Sequence, residues 1–150
     1  MRLKIVTPER TVFEDEVDSV TLPARDGEIT ILPHHIPLVS LLMSGVITVK
    51  RGGVDVHVAS SGGFVEVLPD STVQILADTA EQAEELSWEK VEEAKRQAET
   101  ALKGVRRHDE EGQVVALGGL ERELARLKAL QRRGGGVHHA PHQPEIETES

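Results

Sequence analysis

The sequence contains no cysteine and no tyrosine, and it has only one tryptophan and two phenylalanines. Without cysteine the fold contains no disulfide and no thiolate chemistry, which suits a reducing compartment. So few aromatic rings argue against a stacking platform for single-stranded nucleic acid. The formal net charge of −9 argues against binding to phosphate backbones in general. We therefore expect no nucleic-acid partner.

Long apolar runs are also missing. The first ten residues lack the apolar segment of a signal peptide, and no run approaches the roughly 20 apolar residues that cross a bilayer. We expect a soluble, cytoplasmic protein with no direct membrane insertion. A chain of 150 residues is long enough for one core with a small appendage.

Residues 1–80 read as all-β. Short β-prone runs are separated by turn signals about every eight to twelve residues, and no helical period interrupts them, which favours an antiparallel β-sandwich. The clearest hairpin joins residues 46–50 to 54–59 through Gly52 and Gly53. In the second of these strands, alternation predicts three buried valines and leaves Asp55 and His57 facing water.

Residues 26–49 contain the most distinctive loop. Two apolar runs, 29–32 and 38–43, flank the sequence Pro33-His34-His35-Ile36-Pro37. The two prolines fix φ and remove two backbone donors, so this segment is the interior of neither a strand nor a helix. We expect a rigid, exposed connection, and such loops often carry binding surfaces.

The hydrophobic period changes near residue 80, where a first helix is predicted from Ser87 as N-cap to a stop at Gly104. A second helix is marked by leucines at 117, 120, 124, 127 and 130. Gly118 and Gly119 weaken its first turns, so its secure part is residues 120–132. The predicted domains are a β-sandwich at 1–80, a helical hairpin at 81–133 and a disordered tail at 134–150. Because both apolar stripes are narrow, we expect the hairpin to be a moving part.

The second helix carries a local excess of positive charge. Residues 113–133 hold five basic and two acidic residues in an otherwise acidic protein. Ordinary surface decoration with local ion pairs is the preferred interpretation from the residues alone. The alternative is a mobile helix that docks on an acidic protein surface through Arg122, Arg126 and Lys128, with Arg132 and Arg133 beside them.

Nothing in the sequence predicts catalysis. It lacks the phosphate-binding and dinucleotide-binding glycine motifs, and its paired serines lack the frame of a hydrolase nucleophile. A metal site is disfavoured, because adjacent histidines in an extended chain point in opposite directions. This applies to His34 and His35 together with His57, and incidental binding is the better interpretation for the tail residues His138, His139 and His142. We expect no catalytic residue, metal or cofactor.

Several motifs occur in a characteristic order. They are residues 6–9 (VTPE), 26–28 (DGE), 31–33 (ILP), 35–38 (HIPL), 61–67 (SGGFVEV), 73–81 (VQILADTAE) and 124–128 (LARLK). In this succession the chain resembles the epsilon subunit of bacterial F-type ATP synthases, the counterpart of the mitochondrial delta subunit. The resemblance implies a ten-stranded β-sandwich followed by a helical hairpin.

The resemblance also implies a function. Members of this family are non-catalytic rotor subunits that bind the gamma subunit and the ring of proton-carrying subunits, at the cytoplasmic face of the cell membrane. They couple proton flow to ATP synthesis, and in many bacteria the hairpin inhibits ATP hydrolysis, which implies contact with the catalytic beta subunits. Carried over by motif, Glu28 and His35 correspond to ring-facing positions, and Arg122, Arg126 and Lys128 to the inhibitory helix.

Two departures from the family pattern are visible. His34 replaces a glycine, so a positive φ there costs more free energy. The ATP-binding motif of some members, Ile-Asp-x-x-Arg-Ala, reads Leu86, Ser87, Lys90 and Val91 at its defined positions. It has lost the aspartate carboxylate and the arginine fork, so we expect weak or no ATP binding.

Two other functional classes stay open beside the rotor subunit. One is a free-standing β-sandwich that binds a protein or small ligand and uses the hairpin as a dimerisation arm. The other is a metal enzyme on a barrel.

Overall fold

The computed structural model describes residues 1–133, and the predicted disordered tail lies outside the described residues. A 3₁₀ turn, Ala83–Glu85, precedes two helices, α1 (Trp88–Gly104) and α2 (Glu110–Arg133). Neither helix has the length and apolarity needed to cross a membrane. Ten strands come first: β1 (Arg2–Val6), β2 (Thr11–Glu16), β3 (Ser19–Ala24), β4 (Gly27–Ile31), β5 (Leu38–Leu42), β6 (Gly45–Arg51), β7 (Val54–Ser60), β8 (Gly63–Val67), β9 (Val73–Ala77) and β10 (Ala80–Gln82).

The strands form one continuous hydrogen-bonded path that folds over into two layers. Its order is β10-β7-β6-β3-β5-β8-β9-β1-β2. Strand β4 lies off this path and pairs with β3. Strands β1 and β9 run parallel, whereas the other pairings in the described part of the chain are antiparallel. The predicted β-sandwich followed by a helical hairpin is therefore confirmed.

A single core of aliphatic side chains lies between the two layers. Alternate residues of each strand point into it, as the period of two requires. One layer contributes Leu22, Ile47 and Val58, and the other contributes Ile5 and Ile75, all with no exposed surface. Burying each such side chain contributes about 1.5–3 kcal/mol, so this core supplies most of the stability of the sandwich.

Glycines allow a tight turn and a close approach of two strands. Gly52 and Gly53 have φ of 57° and 80° and close the predicted β6–β7 hairpin, which is confirmed. Gly63 has φ of 145°, and a Cβ built there would lie 2.0 Å from the carbonyl oxygen of Leu76. Strands β8 and β9 can therefore approach this closely only with glycine at position 63.

The Pro33–Pro37 loop opens with a tight turn. The amide of His35 donates to the carbonyl oxygen of Leu32 over 3.2 Å, and His34 has φ of 66°. Proline at the second position and a positive φ at the third are the features of a type II turn. His34 thus adopts the backbone conformation for which glycine is best suited, although histidine tolerates it better than most residues.

Helix α2 is longer than the sequence predicts. Residues 120–132 are helical as predicted, but the helix begins at Glu110 and runs through Gly118 and Gly119. Asp109 caps its first turn, because its Oδ1 accepts a 2.8 Å hydrogen bond from the amide of Gly112. This cap and the packing against α1 offset the low helix propensity of the two glycines.

Candidate functional site

Helix α2 covers one of the two outer faces of the sandwich, the face formed by β6 and β7. Ala129 is buried there in a cluster with Val46, Ala59 and Ala83, and Ala125 and Leu130 on the same helix are buried as well. The small alanine side chains let the helix lie close to the sheet. The predicted leucine stripe is buried only in part: Leu130 is 1% exposed and Leu120 and Leu127 are half-buried, whereas Leu117 and Leu124 are 47% and 43% exposed.

The outer face of β7 corrects a second expectation. Val56 and Val58 face the core as predicted, but Val54 is 62% exposed at the hairpin turn. His57 does not face open water, because it pairs across the sheet with Thr48 beneath the C-terminal end of α2. The alternating pattern of β7 correctly predicted that His57 points away from the core, but it did not predict that α2 lies over that face.

Arg126 fastens α2 to the end of the sheet. Its guanidinium donates to Oε1 of Glu81 on β10 over 2.5 Å and also to Oε1 of Glu123, one turn earlier on the helix. Arg126 and Glu81 are 21% and 30% exposed, and Glu123 is buried. Such partial burial makes the ion pair stronger than an exposed one.

Further polar contacts hold both ends of the docked segment. Arg133 Nη1 donates to the carbonyl oxygens of Ala83 and Leu86 over 2.8 and 3.1 Å. The hydroxyl of Ser44 donates to the carbonyl oxygen of Glu121 over 3.3 Å. The segment from Glu121 to Arg133 is therefore the part of the hairpin that is fixed to the sandwich.

The proposed inhibitory residues have different environments in this arrangement. Arg122 and Lys128 are exposed on α2, whereas Arg126 is held by Glu81 and Glu123. A surface that docks on another protein through all three residues requires the contact between Arg126 and Glu81 to break.

The degenerate ATP motif lines one open cleft between α1 and α2. Leu86, Ser87, Lys90 and Val91 border a cavity of about 350 Å³, and the remaining wall includes Glu81, Glu85, Glu123 and Arg126. Three carboxylates, those of Glu81, Glu85 and Glu123, line this cavity, and Arg126 already pairs with Glu81 and Glu123. The cleft is therefore electrostatically unfavourable for a nucleotide triphosphate.

The turn before α1 is tied to the β1–β2 loop. Arg10 donates from both terminal nitrogens to Glu85, over 3.1 and 2.7 Å. This hydrogen bonding by Arg10 lowers the pKa of the Glu85 carboxyl. In the described residues, no group of three or more histidine or acidic side chains is arranged to hold a metal ion.

The second outer face of the sandwich carries an exposed apolar row. Leu41 on β5, Phe64 on β8 and Leu76 on β9 are cross-strand neighbours and are 43%, 54% and 49% exposed. Val39, two residues before Leu41 on β5, is 69% exposed, and Met43 beyond the strand is 45% exposed. We call these five residues the apolar row. Contiguous exposed apolar surface of this kind marks a protein interface.

The two predicted ring contacts lie around β4. Glu28 is exposed near the β3–β4 turn, opposite Pro23. His35 lies in the loop after β4, where its Nδ1 is 2.7 Å from the carbonyl oxygen of Ile36. They sit at opposite ends of β4, and Ile36 beside His35 is 75% exposed.

Sequence reasoning missed the apolar row and the partners of Arg126. The sequence contained a signal for the apolar row. In residues 64–67 (FVEV) the side chains alternate in direction, which places Phe64 on the same side as Glu66, away from the core. Glu81 had none, since its contact with Arg126 joins residues 45 positions apart. Glu123 lies three positions before Arg126, within the range of the local ion pairs expected on this helix.

Comparisons with known proteins agree with this geometry. Residues 1–83 match the family model described as ATP synthase, Delta/Epsilon chain, beta-sandwich domain. An ATP synthase epsilon chain of Dehalococcoides mccartyi is 41% identical over 138 residues, which cover 89% of this chain and 94% of the relative. One from Desulforamulus reducens is 50% identical over 101 residues, covering 67% and 76%.

The chain belongs to the ATP synthase delta/epsilon family. It is a rotor subunit of an F-type ATP synthase and is not catalytic itself. A chain in the Euglena gracilis mitochondrial ATP synthase structure, described as containing F1 and the c-ring, superposes with a TM-score of 0.69 at 25% identity, covering 87% of this chain and 79% of that one. A chain from the Tetrahymena thermophila enzyme shares the fold, with a TM-score of 0.59 at 16% identity and coverage of 86% and 95%.

The Glu81–Arg126 ion pair gives a prediction about docking of α2. In a double-mutant cycle, Glu81→Gln and Arg126→Gln should show a coupling free energy of about 1–2 kcal/mol, because both groups are partly shielded from water. The exposed pair Glu93 and Arg96 on α1 is the matched control and should couple by less than about 0.5 kcal/mol. Amide hydrogen exchange of residues 121–133 measures the opening free energy, and equal coupling in the two pairs would contradict the prediction.

Proposed function

We propose that this subunit joins the gamma subunit to the ring of proton-carrying subunits, at the cytoplasmic face of the membrane, and so couples proton flow to ATP synthesis. The observation that carries the proposal is the apolar row on the outer face that α2 leaves uncovered. The F1 and c-ring named for the Euglena structural neighbour support the choice of partners.

The apolar row suits the binding of the gamma subunit because it lies across neighbouring strands of the sheet. Leu41, Phe64 and Leu76 cross three adjacent strands whose opposite faces form the rigid core. A surface built on such strands loses little conformational entropy when a partner covers it. Burying these large side chains supplies the favourable term that a permanent interface needs.

A substitution in the row tests the binding of gamma. Phe64→Ser should weaken the affinity for gamma at least about tenfold, because it removes the largest apolar side chain of the row. Since Phe64 is 54% exposed, the melting temperature should change little. Val114→Ser, at a position on α2 that is 70% exposed, is the matched control and should bind normally. Affinity is measured by surface plasmon resonance with immobilised gamma.

Two results would contradict this assignment. The first is an unchanged affinity in Phe64→Ser. The second is a monomer–dimer equilibrium that Phe64→Ser abolishes, with no affinity of the parent chain for gamma, which would favour a free-standing module that dimerises.

The ring is proposed to contact the β4 region, a different part of the sandwich. Glu28 supplies an exposed carboxylate near the β3–β4 turn, and His35 follows the rigid Pro33–His34 turn. Separate surfaces for gamma and the ring allow the sandwich to transmit torque between them without being displaced from either.

Charge reversal at Glu28 tests the ring contact. Glu28→Lys should lower proton pumping per ATP hydrolysed in reconstituted complexes, because it places a cation where the ring meets an anion. Glu92→Lys makes the same change on the exposed surface of α1 and should leave coupling intact. Pumping is followed by quenching of a pH-sensitive dye, with hydrolysis measured in parallel. Equal coupling in the two variants would remove Glu28 from the ring contact.

Inhibition of ATP hydrolysis is proposed to require release of α2 from the sandwich. In the docked arrangement Arg126 is engaged by Glu81, while exposed Arg122 and Lys128 remain available. A released helix would present all three to the acidic surface of a catalytic beta subunit.

Truncation tests the inhibitory role. We place the end of the sandwich unit after residue 86, since β10 belongs to the sheet and Ala83 is buried. Removing residues 87–150 should raise ATP hydrolysis by the assembled complex without reducing assembly. Glu81→Gln should act in the opposite direction and lower hydrolysis, because it favours the released helix. Hydrolysis that the truncation leaves unchanged would refute the inhibitory role.

A further inference from the structure

One hydroxyl group separates two basic side chains at the C-terminal end of the docked helix. His57 on β7 and Thr48 on β6 are cross-strand neighbours on the outer face, with His57 Nδ1 3.2 Å from Thr48 Oγ1. Arg132 on α2 donates from Nη1 to the same oxygen over 3.4 Å. The three groups therefore form a chain from helix to sheet that passes through Thr48.

This chain is satisfied when the imidazole is neutral. Arg132 can only donate, so Thr48 accepts from it and keeps its own hydroxyl hydrogen to donate to His57 Nδ1. A protonated imidazole carries hydrogens on both nitrogens and can no longer accept. Thr48 would then receive hydrogens from two cations, and its own hydrogen would lose its acceptor.

We propose that protonation of His57 weakens the docking of α2, so that mild acidification releases the C-terminal half of the helix from the sandwich. The imidazolium and the Arg132 guanidinium would face each other across a single oxygen atom, partly shielded from water. Like charges in that position repel more strongly than they do at an exposed site.

The environment of His57 favours its neutral form. Burial under α2 lowers the pKa of His57, Asp55 on the same strand raises it, and Arg132 lowers it further, with a net lowering. The other charged residues of the elements packed on β7 are either engaged elsewhere or exposed. Arg126 pairs with Glu81 and Glu123, Glu85 with Arg10, Arg51 with Asp15, and Arg133 with backbone carbonyls, while Lys50, Glu84, Glu121, Arg122 and Lys128 are exposed.

The sign of the pH effect follows from this lowered pKa. When α2 leaves, His57 loses both its cover and Arg132, so its pKa rises toward the ordinary value of about 6.5. Well above that value both states carry neutral His57, and docking has its full strength. As the pH falls below about 6.5, His57 is protonated first in the released state. Docking then weakens by up to about tenfold for each pH unit that separates the pKa of His57 in the released state from its lower pKa in the docked state.

The remaining contacts set how far such a release extends. Ala129 lies within one turn of Arg132 and holds the helix on Val46 and Ala59. Displacing Arg132 therefore disturbs the apolar contact directly. This proposal concerns docking in the isolated chain and does not depend on the binding of gamma or the ring.

Methyl NMR of the full chain tests the proposal. The methyl signals of Ala129 on α2 and Ala59 on β7 report docking because both side chains are buried in the cluster between the helix and the sheet. Between about pH 7.5 and about pH 5.5 they should move toward the shifts of the undocked state, with a midpoint at or below the ordinary histidine value. Core signals of Ile47 and Ile75 should stay unchanged over the same range. No movement of the Ala129 and Ala59 signals would overturn the proposal.

Variants separate His57 from the other histidines. His57→Gln should abolish the acid-induced movement, Arg132→Gln should reduce it, and Arg132→Lys should retain it because the charge is kept. His35→Gln and His108→Gln, and a variant with all three tail histidines changed to glutamine, should respond like the parent chain. Acid release that persists in His57→Gln would overturn the proposal, and so would an unaltered response in Arg132→Gln.

Discussion

The seating of α2 on the outer face of β6 and β7 determines which surfaces this subunit offers to its complex. Close approach depends on Ala129, whose small side chain brings the helix backbone near Val46 and Ala59. Arg126 and Arg133 then fix the helix to β10 and to the 3₁₀ turn. With that face covered, the opposite outer face keeps its apolar row exposed.

Docking of this kind is suited to reversal. The apolar cluster between α2 and the sheet is built from small side chains, Val46, Ala59, Ala83 and Ala129. The ion pairs and hydrogen bonds around it are partly exposed, and each contributes modestly. The sandwich core does not rely on α2, since its buried side chains come from the strands. The hairpin can therefore change position while the sandwich, with its proposed binding surfaces, stays folded.

Much of the fold was predictable from local patterns. Alternation in the strands, the Gly52–Gly53 turn and the change to a helical period near residue 80 depend on neighbouring residues, and each was recovered in the structure. The family resemblance rested on the order of short motifs, which sequence also preserves. The early start of α2 was missed, because packing and the Asp109 cap outweigh two glycines in its middle.

Local patterns and the order of short motifs were enough to predict the β-sandwich, the helical hairpin and membership of a non-catalytic rotor family. The three-dimensional packing was needed to show which helix residues are buried on the sheet, which distant carboxylate holds Arg126 and what covers His57. These features depend on contacts between residues far apart in the chain, such as the pairing of Glu81 with Arg126 and of Thr48 with Arg132. A one-dimensional pattern shows which side of a strand points outward, but what covers that side depends on how distant segments pack.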